Sequence, residues 1–158
     1  MIYLLWALII LFTFVAQRSI SLLGITPDFT ILLVCYMGVK KGEIKGMFFG
    51  ALIGALEDSL SGAFLGPNLL SKGLLGYLSA ILYSRFFIWT PLLGVVSTSV
   101  LTLADGFMVF TFRSIFDRMP GSLRAVFLIV ALQALLNAPF GFIIKPGNLQ
   151  QSTLVKGK

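Results

Sequence analysis

The chain has 158 residues with a mean hydropathy of +0.98; 58% are hydrophobic and only 11% charged, a balance that excludes a soluble globular domain and implies one membrane-embedded unit. Its net charge of +6 comes from twelve basic and six acidic residues. In so apolar a chain the basic groups belong to loops and helix ends rather than to a nucleic-acid-binding face. The absence of His and the single Cys35 leave no His-based triad, no His/Cys metal constellation and no intramolecular disulfide.

Ile2 to Val15 is uninterrupted apolar sequence, and no charge precedes Arg18. It reads as a first helix continuing to Leu23 and stopped by Gly24. Without a basic n-region or a small-residue cleavage site it is expected to be retained rather than removed as a signal peptide. Thr26, Pro27 and Asp28 then form a helix-start signal, with Thr26 as the capping hydroxyl and Asp28 at the positive dipole end. The second helix runs to Val39, about 20 Å, which is short for a span. Lys40, Lys41, Gly42, Glu43 and Lys45 make a tight basic turn, cytoplasmic by the positive-inside rule.

The third helix, Glu43 to Leu60, carries Gly46, Gly50 and Gly54 at four-residue spacing, a bare stripe that lets another backbone approach closely in lipid. Packing against the second or fourth helix is the plainer use of that stripe, and a surface for a partner helix the sharper one. The helix delivers Glu57 and Asp58 to the outer side, both flanking the glycine stripe. Acids there need a partner, and Lys72, in the first turn of the fourth helix, is within reach. The plain expectation is a turn held by an Asp58/Glu57–Lys72 ion pair. An ion or proton site is the less favoured reading.

The fourth helix runs from Asn68 to Ser84, with Gly76 and Ala80 as a further small contact and Arg85 and Trp89 marking its cytoplasmic end. Pro91 opens a fifth helix to Phe112. Its single acid, Asp105, reads as a hydrogen-bond partner of a nearby Ser or Thr, or as a contact to a partner or lipid headgroup. Arg113, Asp117, Arg118 and Arg124 fill an outer loop, and the sixth helix, Leu123 to Ile144, contains Asn137 and Pro139. Residues 1–147 thus form one all-α polytopic membrane domain of about six spans, and 148–158 a short polar cytoplasmic tail. Both termini are placed inside, with a five-span arrangement ranked second.

The order Pro27-Asp28, Tyr36, a basic turn, a glycine-bearing helix, then Asp58, Ser61, Gly62, Leu65 and Gly66 in a D-x-x-S-G-x-x-L-G pattern, followed by Tyr77, resembles the bacterial rod-shape-determining MreD family. The specific part covers Thr26 to Arg85; the first, fifth and sixth helices match only as generic spans. The resemblance implies a non-enzymatic, cofactor-free subunit of the cell-elongation machinery in the cytoplasmic membrane. It would bind the single-span scaffold MreC and, through it, the MreB filament and the peptidoglycan glycosyltransferase and transpeptidase enzymes. It also implies the helical arrangement of substrate-binding subunits of energy-coupling-factor transporters, so a small-ligand-binding subunit is the alternative. Those subunits typically show a small A-x-x-x-A face on the first helix, whereas here Ala7 is followed four residues later by Leu11.

Overall fold

The computed structural model describes residues 2–20, 26–62, 65–86, 90–116 and 122–144, and among them every regular element is helical. α1 spans Ile2–Ser19, α2 Phe29–Lys41, α3 Glu43–Ser61, α4 Pro67–Ile81, α5 Pro91–Phe116 and α6 Leu123–Asn137. α4 continues as a π turn over Leu82–Phe86, and α6 as a 3-10 turn over Ala138–Ile143.

The ends of these helices follow from local chemistry. Asp28, not Thr26, caps α2: its Oδ1 accepts from the Thr30 N–H at 3.1 Å and the Ile31 N–H at 3.2 Å. Pro27 therefore lies outside the first turn. Gly42 alone links α2 to α3; its φ of 90° is a conformation that a side chain would strain, and its N–H closes α2 on the Gly38 carbonyl. α3 ends in the left-handed Gly62, φ 64°. α6 leaves α-geometry at Asn137 because Pro139, two residues on, lacks an N–H to continue the ladder.

Several expected boundaries shift. Ile20 has already left α1, and residues 21–25, with Gly24 and the expected end at Leu23, lie outside the described residues. α5 runs four residues beyond Phe112, so Arg113 sits in its last turn rather than in a loop. Arg124 is in the exposed first turn of α6. Asp117, Arg118, Trp89, Lys145 to Gly147 and the tail 148–158 lie outside the described residues.

Among the described residues, α3 and α4 pack backbone against backbone. A methyl group added at Gly50 would overlap the Lys72 carbonyl, one at Gly54 the Asn68 carbonyl and one at Gly46 the Gly76 carbonyl. α2 joins the same seam, since a methyl on Gly38 would meet Ser79 Oγ and the Gly76 carbonyl. In lipid, burial of apolar surface supplies no drive between helices, so dispersion at such backbone contacts carries the association. Ile31, Cys35, Val39, Leu75, Tyr83, Leu101 and Ile144 form the buried apolar cluster beside it. The opposite faces expose large apolar side chains: Leu4, Leu8, Leu11, Phe12 and Val15 on α1, Leu92, Val96 and Val100 on α5, and Phe127, Leu128 and Leu135 on α6. Exposed apolar side chains on this scale suit helices that face lipid. Among the described residues two helices, Pro91–Phe116 and Leu123–Ile143, are long and apolar enough to cross a membrane.

Candidate functional site

Glu57 and Asp58 are neighbours in sequence, so about 100° separates them around the axis of α3 and they serve different helices. Asp58 is fully buried and turned towards the start of α4. Its Oδ2 accepts from the N–H groups of Gly66 at 2.9 Å and Leu69 at 3.1 Å; its Oδ1 accepts from the Asn68 N–H at 3.2 Å and Asn68 Nδ2 at 2.7 Å. Gly66, at the N-cap of α4, has no side chain with which to cap, and Asp58 does this work from eight residues away. The expected Asp58–Lys72 pairing is therefore corrected: Asp58 spends its charge on backbone donors at the positive end of a helix.

Lys72 is instead held by three other carboxylates. Its Nζ lies 2.8 Å from Glu57 Oε2, 2.9 Å from Asp28 Oδ2 and 3.1 Å from Asp105 Oδ2, with 1% of the side chain exposed. The ammonium donates hydrogen bonds to Asp28 and Asp105, and Glu57 completes the set as an ion pair. The four residues come from the start of α2, from α3, from α4 and from α5, so one charge ties four elements together.

The remaining oxygens are also engaged. Asp105 Oδ1 accepts from Ser71 Oγ at 2.5 Å. The fully buried Thr30 hydroxyl lies 2.6 Å from Asp28 Oδ1 and 2.5 Å from Glu57 Oε1. α6 joins through side-chain amides: Asn137 Nδ2 donates to the Asp28 carbonyl at 3.0 Å, and Gln133 Nε2 to that of Thr26 at 3.0 Å. A cavity of about 230 Å³ borders the cluster, lined by Phe14, Gln17, Asp28, Glu57, Asn68 and Arg113 among others.

The other residues singled out in the sequence fall around this site. Ser61 Oγ donates to the Asp58 carbonyl at 3.0 Å, and Gly62 supplies the left-handed end of α3. Leu65 is exposed, and Gly66, with φ 151°, takes a backbone conformation that favours glycine. Asp105 was expected to find a hydroxyl or an interface; it does meet Ser71, but its second oxygen belongs to the lysine. Asp28 is both the cap of α2 and an ion-pair partner of Lys72. Thr30, Ser71, Gln133 and Asn137 were not anticipated. One signal could have found the cluster: Lys72 and Asp105 both fall within predicted helices, where an unpaired charge is costly. Among the described residues no group of His, Cys, Asp and Glu is arranged to hold a metal ion.

Replacing Asp58 with Asn tests its capping role. One amide N–H₂ would then face backbone N–H donors in place of an oxygen, and hydrogen bonds to charged groups are worth about 1.5–3 kcal/mol each. Unfolding in mixed detergent micelles is expected to show a loss of about 2–3 kcal/mol. The charge swap Asp58→Lys with Lys72→Asp should rescue neither single change, since the two side chains serve different partners; rescue would restore the direct pair.

A family model described as "rod shape-determining protein MreD" matches residues 1–144, which contain all six helices. No curated protein and no solved structure matches the chain.

Proposed function

The chain belongs to the MreD family of rod shape-determining proteins, a membrane family, and from that premise we propose that it is a non-enzymatic assembly subunit of the cell-elongation complex. On this reading it crosses the cytoplasmic membrane six times with both termini inside. It binds the MreC scaffold and, through it, serves the MreB filament and the peptidoglycan synthases of the lateral wall. The observation that carries the reading is the extent of the match, which takes in the whole helical body rather than one motif.

The charge distribution supports the assembly role. The acids of the membrane body are directed to Lys72 or to the start of α4, where they hold helices together. The basic turn of Lys40, Lys41 and Lys45 supports a cytoplasmic link between α2 and α3, with the Asp58 turn outside.

The test is replacement in a rod-shaped bacterium depleted of its own family member. This chain is expected to restore rods and to co-purify with the single-span scaffold from detergent. In the same cells, cysteines replacing Lys41 and Leu65, in a Cys35→Ala background, should label from opposite sides of the membrane. A chain that inserts and folds but neither restores shape nor holds the scaffold, and instead retains a small solute, would overturn the assembly role. Labelling of both cysteines from one side would overturn the topology.

A further inference from the structure

The Thr30 hydroxyl sits between two carboxyl groups, and it has only one proton to donate. Its Oγ1 is 2.6 Å from Asp28 Oδ1 and 2.5 Å from Glu57 Oε1, distances at which a hydrogen must lie between each pair of oxygens. Were both acids ionised, one of these contacts would set lone pair against lone pair.

Asp28 cannot supply the missing hydrogen. Its Oδ1 already accepts the N–H groups of Thr30 and Ile31, and its Oδ2 accepts from Lys72. Asp105 is likewise an acceptor at both oxygens, from Ser71 and Lys72. Glu57 differs. Its Oε2 faces Lys72, and its Oε1 meets only the Thr30 hydroxyl among the described contacts.

We propose that Glu57 carries a proton on Oε1 in the folded protein, donating it to Thr30, whose own hydroxyl proton is donated to Asp28. The result is a directed relay, Glu57 O–H to Thr30 O–H to the Asp28 carboxylate, ending at Lys72. Charge balance points the same way. Within ion-pair distance of Lys72 the described groups are Asp28 ahead of α2, Glu57 on α3 and Asp105 on α5, three acids against one ammonium, with the buried Cys35 thiol of α2 nearby. Asp58 on α3 is turned away and hydrogen-bonded to N–H groups at the start of α4, and Arg113 on α5 stands at the rim of the adjoining cavity. A proton on Glu57 removes one of the two uncompensated negative charges from a site where charge is costly.

The site can exchange that proton. Glu57 lines the cavity of about 230 Å³, which reaches the surface at the exposed Ser61 and Arg113. Loss of the proton sets the Glu57 and Asp28 oxygens in repulsion across Thr30, so release is coupled to movement of Glu57 away from α2 and into the cavity. The ligand is thus a proton drawn from the side that this cavity faces, and its occupancy bears on how the outer end of α3 packs on α2.

Infrared spectroscopy of the full chain in mild detergent at neutral pH tests this directly. The wild-type protein is expected to show a protonated-carboxyl stretching band that shifts in heavy water and shifts again when glutamate alone is isotope-labelled. The chain contains only two glutamates, and the other, Glu43, opens α3 beside the basic turn, so Glu57→Gln separates their contributions. Glu57→Gln should lose the band yet keep its melting temperature within a few degrees of wild type. The amide N–H₂ can donate to Thr30 and its oxygen can accept from Lys72, as the neutral acid does. Thr30→Val should keep the band but shift its frequency, because the proton loses its acceptor. Absence of the band from the wild-type protein, or its insensitivity to glutamate labelling, would overturn the proposal whether or not the variants fold. So would a Glu57→Gln variant that folds and retains the band, or one as destabilised as Glu57→Ala.

Discussion

Lys72→Met is expected to cost the folded protein at least about 3–5 kcal/mol, the range for breaking a buried charge pair by removing one partner. The methionine is close to the lysine in length and apolar, so packing along the stem is nearly conserved and the loss isolates the ammonium. What remains is worse than one orphaned charge: Asp28, Glu57 and Asp105 each lose a donor, and their oxygens converge on the same point. The variant should escape this only by taking up protons or by parting α2, α3 and α5. Size-exclusion profiles and melting in detergent should show it mostly unfolded or aggregated under conditions where Asp58→Asn remains folded. Lys72→Arg is a poor rescue, since a planar five-donor fork does not fit three acceptors arranged around a compact ammonium. A Lys72→Met protein that melts within a few degrees of wild type would show that the cluster does not hold the bundle.

Gly50→Ala is the second large effect, and it needs only one methyl group. The added carbon would overlap the backbone carbonyl of Lys72 and touch Val34, and a backbone carbonyl cannot turn aside as a side chain can. α3 and α4 must separate, at a cost of about 1–3 kcal/mol for ordinary over-packing and more here because backbone is forced to move. The displaced residue is Lys72 itself, so strain in the seam is carried into the ion cluster. Ala51→Leu is not the neutral control that a lipid-facing position would offer, because Ala51 lies over Gly73. Leu52→Ala is the better control, being 54% exposed. The two variants should differ clearly in melting temperature in the same detergent. Equal loss at both positions would argue that the close approach of α3 to α4 contributes little.

These two sites show how differently the parts of the molecule can be read from sequence. A glycine every fourth residue has a meaning inside one helix, because the 3.6-residue period puts Gly46, Gly50 and Gly54 on one side whatever surrounds them. The turn at Gly42 and the break from Gly62 to Pro67 are legible for the same reason: φ values of 90° and 64° and a proline at the start of α4 are local requirements. The D-x-x-S-G-x-x-L-G pattern led to the family, and the family match covers the helical body.

The partners of the acids were not legible in this way. Glu57 and Asp58 are adjacent in the chain and almost equally far from Lys72 along it, and only the placement of α2 and α4 around α3 sends one carboxylate to the lysine and the other to the N–H groups of Gly66, Asn68 and Leu69. Asp28 satisfies a capping rule by itself, so nothing local asks it to pair with a residue 44 positions away.

The sequence alone thus determined what each helix requires of itself: apolar length, a bare glycine stripe, defined stops, and acids too costly to leave facing lipid. Which cation meets which acid was decided only by the tertiary structure. Coulombic pairing depends on distances between helices, and the helix period that orders side chains within one helix says nothing about the rotation of its neighbours.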